Sequence, residues 1–101
     1  MKESRKDKQE YMEERLLSFI PEGKFNAVSC SYLSSMMGCA KRKVIRLVQE
    51  MREKGIPICS TTCDGYWMPK DDGDIIRTIK ALEVRRNTLN ETIDTLTRIL
   101  L

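Results

Sequence analysis

The sequence predicts a mainly α-helical chain that carries one small β-hairpin and ends in a long coiled-coil helix. Apolar residues recur at helical spacing in four separate segments, which is the primary signal of amphipathic helices. Residues 61–65, Thr-Thr-Cys-Asp-Gly, lie between two short apolar stretches and have the composition of a hairpin turn. From Ile75 to Leu100, apolar residues follow an a/d heptad with one exception, which is typical of a coiled coil.

The first two helices are predicted from apolar spacing and from the residues that end them. Helix 1 is expected over about residues 8–20, before a proline and a glycine that stop it. Residues 26–29 are long enough only for a brief extended stretch. Helix 2 is expected over residues 30–37, with Ser29 as its N-cap and Gly38 as a tight turn behind it. Its buried side is expected to comprise Leu33, Met36 and Met37.

A third helix is predicted over about residues 40–54, with Gly55 as its C-cap. It has two distinct faces at helical spacing. The face expected in the core comprises Val44, Leu47, Val48 and Met51. The opposite face comprises Arg42, Arg46, Gln49 and Glu53.

The second half of the chain predicts a hairpin and then one long helix. The candidate strands are residues 56–60 and 66–68, and Asp74 is a plausible N-cap for a helix that reaches the last residue. The predicted organisation is therefore a domain over residues 8–70 followed by a C-terminal dimerisation helix over residues 71–101.

The order of helix, short strand, helix, tight turn, helix and hairpin is that of a winged helix-turn-helix domain. Particular residues add to this pattern: Pro21-Glu22-Gly23, Asn26-Ala27-Val28-Ser29, Leu33, Gly38, Arg42, Val44, Arg52, Gly55, Pro57-Ile58-Cys59-Ser60 and Gly65-Tyr66. Together they resemble the winged-helix module of the biotin-operon-repressor type, especially the small versions carried by phages and mobile elements of Gram-positive bacteria. The resemblance implies the fold and binding to double-stranded DNA, as a regulator or as an accessory factor in DNA transactions.

Positive charge is concentrated in the segment that the resemblance assigns to DNA binding. The whole chain carries +3, whereas residues 21–55 carry seven Lys and Arg against three Glu, a net +4. The family usually caps its third helix with Ser or Thr followed by an acid, but here Ala40 precedes Lys41-Arg42-Lys43. Such a start opposes the helix dipole unless phosphates supply the missing negative charge.

The predicted DNA contacts divide by geometry. Arg42, Arg46 and Gln49 point away from the core and can reach base edges, whereas Lys41 and Lys43 flank them and suit phosphates. Contact should fade toward the two acids in the C-terminal half of the helix. The predicted set is completed by Ser31 in helix 2 and by Thr61 and Thr62 in the hairpin, which is expected on the DNA backbone.

The last helix is predicted to form a homodimer. Its heptad places Ile79, Arg86, Ile93 and Leu100 at a, and Ile75, Leu82, Leu89 and Leu96 at d. A domain of this size cannot cover the whole stripe, although the part from Ile75 to Leu82 could pack back on helix 1. Few charges flank the seam, so parallel and antiparallel pairing both remain open.

Composition disfavours several other classes. The chain has no histidine, no glycine-rich phosphate loop and no recognisable pairing of nucleophile and base, so we expect no enzyme activity and no cofactor. The four cysteines lack the short pairs of structural zinc sites and are expected to be free thiols without metal. With a highly charged N-terminus and no long apolar run, the protein is expected in the cytoplasm of a bacterial or phage-infected cell, away from membranes. The alternative function is a protein-interaction module, since winged helices can also bind proteins.

Overall fold

The computed structural model describes residues 5–101, with side chains from residue 8 onward; the first four residues of the charged N-terminal stretch lie outside the described residues. The described chain is mainly helical, with an antiparallel hairpin and a long C-terminal helix, which confirms that part of the predicted fold class. Its elements are α1 (Arg5–Ser18), a 3-10 turn (Lys24–Asn26), α2 (Cys30–Met37), α3 (Lys41–Glu53), β1 (Cys59–Thr61), β2 (Gly65–Trp67) and α4 (Asp72–Leu100).

Helix α1 ends two residues earlier than the sequence predicts. Its last regular residue is Ser18, and the chain then turns through a bond from the Phe19 amide to the Leu16 carbonyl, 3.0 Å long. Pro21 explains the difference, because a proline disfavours helical backbone at the residue before it. Ile20 is therefore released from the helix while its side chain remains in the core.

Helix α2 has the predicted bounds and the predicted caps. The Ser29 side chain accepts a hydrogen bond from the Tyr32 amide at 3.0 Å, and Gly38 ends the helix with a left-handed φ of 66°. The prediction for its buried side is wrong at one position. Met37 is buried, but Met36 is 40 % exposed, because the short helix buries only one edge against α1 and α3.

Helix α3 supplies the largest share of the core. It begins one residue later and ends one residue earlier than predicted, and Gly55 follows the C-cap residue Lys54 with a positive φ of 93°. The predicted apolar face is confirmed, since all four of its residues are buried. The core is made of Leu16, Ile20, Leu33, Met37, Val44, Leu47, Val48, Met51 and Ile58.

The hairpin is shifted along the chain relative to the prediction. Cys59 pairs with Trp67 and Thr61 pairs with Gly65, whereas residues 56–58 stay outside the strand. Pro57 has no amide hydrogen to give to a ladder, which accounts for the late start of β1. The predicted extended stretch before α2 narrows to Val28, which exchanges two backbone hydrogen bonds with Tyr66 at 2.9 and 2.7 Å.

Helix α4 begins at a different cap and packs against a different element from those predicted. Asp71, not Asp74, is the N-cap, and its side chain accepts from the Asp74 amide. The first turns of α4 pack on β1 rather than on α1, and the Ser60 amide donates to the Thr78 hydroxyl at 3.1 Å. The rest of the helix projects from the domain, so the molecule is 58 Å long and 24 Å thick. Among the described residues, no helix is long and apolar enough to cross a membrane.

Candidate nucleic-acid interface

The first turn of α3 is positively charged and has no side-chain cap. Ala40 takes the N-cap position in extended backbone, and no acidic residue follows in the first turn. Lys41 and Arg42 are exposed, whereas Lys43 is half-buried and so less available than the sequence predicts. A helix N-terminus carries a partial positive charge, so these cations add to a field of the same sign.

The outward face of α3 presents three of the predicted contact residues together. Arg42, Arg46 and Gln49 are all exposed and lie opposite the buried stripe of the same helix. At its far end α3 is fixed to the hairpin, because the Arg52 guanidinium donates to the Ile58 carbonyl and to the Ser60 hydroxyl, both at 2.8 Å. Burial lowers the pKa of Arg52 from its ordinary value. The outward face of α3 is therefore held in position by contacts at the C-terminal end of the helix, away from Lys41 and Arg42.

The C-terminal half of α3 carries a polar cluster that ties it to α1. Glu50 lies 3.8 Å from the Arg46 guanidinium and accepts a hydrogen bond from Gln9 at 2.7 Å. Glu13 of α1, which is buried, pairs with Lys54 at 2.9 Å. Burial alone would raise the pKa of Glu13, but hydrogen bonds from Lys54 and Gln9 lower it below its ordinary value. The same bond raises the pKa of Lys54.

The two hairpin residues of the predicted set differ in exposure and in hydrogen bonding. Thr62 is exposed at the turn, whereas the Thr61 hydroxyl is occupied within it, donating to the Asp64 carboxylate at 2.6 Å and accepting from the Asp64 amide at 3.0 Å. Asp64 also lies 3.7 Å from the ammonium group of Lys24. The acid at the turn is thus partly neutralised, and Thr62 is the freer of the two threonines.

The hairpin and the start of α2 face each other across a cleft of about 260 Å³. Thr61 and Thr62 line one wall, Ser29 and Cys30 line another, and Arg85 of α4 closes the third side. Ser31 is exposed in the first turn of α2, two residues beyond the cap. The structure therefore brings the predicted hairpin residues close to the N-terminus of α2, where Ser31 lies.

Two further residues belong to these surfaces and are absent from the predicted set. Ile45 is 53 % exposed and borders Gln49 at the edge of the outward face, so helical spacing alone could have indicated it. Arg85 reaches the hairpin cleft only because α4 packs on β1. No local pattern in the sequence signals that long-range contact.

The predicted dimerisation residues form a stripe that the rest of the chain leaves uncovered. Ile75 is half-buried beside β1, whereas the other seven, Arg86 included, are exposed. The residues of α4 that are buried against the domain are Asp74 and Thr78, on a neighbouring face. The part from Ile75 to Leu82 that could have packed on α1 instead borders β1.

The cysteines are spread over the domain. All four are free thiols, and burial raises the pKa of Cys30 and of Cys59 from the ordinary value. Among the residues that the structure describes, no three His, Cys, Asp or Glu side chains gather as a metal site. The expectation that the protein holds no metal stays a prediction.

Comparison with protein-family models, with curated proteins and with solved structures finds no match for this chain. A functional assignment therefore depends on the geometry and charge of the surfaces described above.

Proposed function

We propose that this chain binds double-stranded DNA as a winged helix-turn-helix protein, with α2 and α3 as the helix-turn-helix and the hairpin as the wing. In this proposal α3 enters the major groove with its N-terminal end leading, and Thr62 approaches the DNA backbone. The biological role that suits such a protein is a transcriptional regulator, or an accessory factor in DNA transactions, of a phage or mobile element. The resemblance of the sequence to that class supports this role.

The observation that carries the proposal is the uncapped, cationic start of α3. A missing cap costs about 0.5–2 kcal/mol, and each cation in the first turn opposes the dipole by about 0.3–1 kcal/mol. Neither Ala40 nor any acid in that turn offsets this cost. A phosphate group placed there would accept hydrogen bonds from the free amide groups and would also pair with the positive side chains. The loss in the free protein thus becomes a gain in the complex.

The side chains on the outward face fit direct readout of bases. Arg42 and Arg46 can each donate two hydrogen bonds to a guanine edge, and Gln49 can pair in the same way with adenine. Ile45 lies beside them and is apolar, which suits the methyl group of thymine. Lys41, which is exposed at the helix start, suits a phosphate.

A protein-interaction module is the second candidate, and specific exposed apolar residues favour it. Tyr32 and Met36 lie one helical turn apart on α2 and are 43 % and 40 % exposed. Aromatic and methionine side chains are enriched in protein interfaces. Glu50 and Glu53 on α3 also suit a protein partner better than a phosphate backbone.

Selection of duplexes from a random-sequence pool, followed by anisotropy on enriched and random duplexes, tests the proposal. R46A should reduce discrimination between the two by about 1–3 kcal/mol, whereas K41A should weaken both to a similar degree. K80A removes the same charge from an exposed position on α4 and serves as the matched control. If no sequence is enriched, and R46A and K41A behave like K80A, the protein-interaction candidate is the better one.

A further inference from the structure

Helix α4 carries an apolar surface that is exposed for most of its length. Every residue from 82 to 101 is exposed, and Leu89, Ile93 and Leu96 are 57–58 % exposed along a single stripe. At 1.5 Å per residue, the projecting part of the helix is about 27 Å long. A contiguous exposed apolar stripe of this kind marks an interaction surface.

The stripe continues into a groove between α4 and the domain. The groove has a volume of about 170 Å³, and Pro57, Ile58 and Cys59 form its domain wall together with the stem of Arg52. The polar groups of its two polar residues are engaged inside the fold, Arg52 by the Ile58 carbonyl and Thr78 by Ser60. Its helical wall includes the first three heptad residues, Ile75, Ile79 and Leu82. Groove and stripe therefore form one apolar surface.

We propose that a second copy of this chain covers this surface, with the two α4 helices antiparallel and their heptads fully overlapped. In antiparallel packing, a positions face d positions of the other helix. The full overlap pairs Ile75 with the partner's Leu100, Ile79 with the partner's Leu96, Leu82 with the partner's Ile93, and Arg86 with the partner's Leu89. The symmetry of the pair repeats each of these contacts, so every heptad position is covered.

The single charge in the seam favours this direction over the parallel one. A parallel dimer in register places Arg86 opposite the partner's Arg86 in the same layer, and like charges in direct opposition are destabilising. The antiparallel overlap places each arginine against a leucine and moves the two cations into adjacent layers. Whichever way the partner runs, Arg86 also has a counter-ion in its own helix, since it lies 3.8 Å from Glu83.

The shape of the protomer favours the same direction. The domain covers the first turns of α4 on the flank that carries Asp74 and Thr78, while the second half of the helix is bare. An antiparallel pair lays the bare half of one helix along the domain-bearing half of the other. The partner's Leu96 and Leu100 then lie over the groove. In a parallel pair the same groove would face helix turns that already carry a second domain.

Disulfide trapping between two full-length variants tests both the association and its direction. I79C and L96C are mixed, oxidised gently, digested and analysed by mass spectrometry, with the unmodified chain and its native cysteines as the control. We expect the cross-link that joins positions 79 and 96 to dominate. Two copies of position 79 would lie about 25 Å apart in the antiparallel pair, too far for a disulfide.

Links of 79 to 79 and 96 to 96 as the main products would overturn the antiparallel direction. A yield no greater than in the control would overturn the association itself. Sedimentation equilibrium of the unmodified chain is the independent check, with a dimer expected at tens of micromolar and a monomer contradicting the proposal. Neither measurement contains DNA, so failure here is distinct from failure of DNA binding.

Discussion

The Nε atom of Arg46 lies 3.8 Å from Oε1 of Glu50, one turn further along the outward face of α3. Glu50 is in turn held by Gln9 of α1, whose amide donates to its other oxygen at 2.7 Å. A residue proposed to read bases is therefore paired with an acid that the domain holds in position. The acid opposes phosphate and competes for the arginine at the same time.

Replacement of that acid should strengthen DNA binding. A carboxylate and a DNA phosphate about 7 Å apart in water repel each other by about 0.6 kcal/mol, so E50Q should raise affinity for duplex DNA about two- to threefold. Freed from its counter-ion, Arg46 adds to the gain. The control is E91Q, which removes the same charge from the projecting half of α4. Anisotropy at low salt measures the effect, and equal affinities for E50Q and E91Q would contradict it.

Charge placed in the heptad seam should dissociate the proposed dimer. L89K buries an ammonium group in the seam and removes apolar contacts worth about 1.5–3 kcal/mol per leucine, so self-association should weaken at least tenfold. V84K is the matched control, because Val84 is 65 % exposed on the same helix but lies off the stripe. R86L should tighten association. Sedimentation equilibrium distinguishes the three, and similar dissociation by L89K and V84K would count against the stripe.

Alanine substitutions at two glycines should distinguish the free-energy cost of backbone strain from that of a steric clash. Gly55 and Gly65 have almost the same φ, 93° and 94°, but an added Cβ meets open space at Gly55 and the Val28 carbonyl at Gly65. G55A should cost about 1 kcal/mol of unfolding free energy, and G65A about 1–3 kcal/mol more. Urea denaturation gives both values. Equal losses would show that the hairpin does not approach Val28 this closely.

The Glu13–Lys54 pair should make stability depend on pH. Because the folded-state pKa of Glu13 is lowered, its contribution is present above the unfolded value of about 4.5 and is lost as pH falls through the folded value. The raised pKa of Lys54 keeps its contribution present below the unfolded value of about 10.5, with loss only at higher pH. Urea denaturation from pH 7 to pH 3 should show a smaller loss for E13Q than for the unmodified chain. Parallel curves would contradict this role for the pair.

The sequence predicts an element most accurately when residues next to its ends cap it. Helix α2 has the predicted bounds because Ser29 caps one end and Gly38 supplies a left-handed residue at the other. The outward and inward faces of α3 also follow from spacing alone. Both features depend on residues within one or two turns of each other, which is the range in which sequence patterns act.

Features that depend on distant contacts could not be predicted in the same way. Asp71 and Asp74 are both suitable N-caps by residue type. Asp71 caps α4, whereas the Asp74 carboxylate accepts a hydrogen bond from the Lys70 amide at 2.9 Å. The heptad indicated an apolar stripe, yet the face of α4 that meets the domain is set by the Ser60 amide and the Thr78 hydroxyl. The position of Arg85 beside the hairpin follows from that packing.

The salt dependence of duplex affinity tests the central proposal most directly. Each phosphate neutralised on B-DNA contributes about −0.9 to the slope of log K against log salt concentration. If the start of α3 binds phosphates, the unmodified chain should give a slope steeper than about −2.5 on a duplex, and K41A should reduce its magnitude by about one. A slope near zero, or K41A indistinguishable from K80A, would contradict DNA binding through α3.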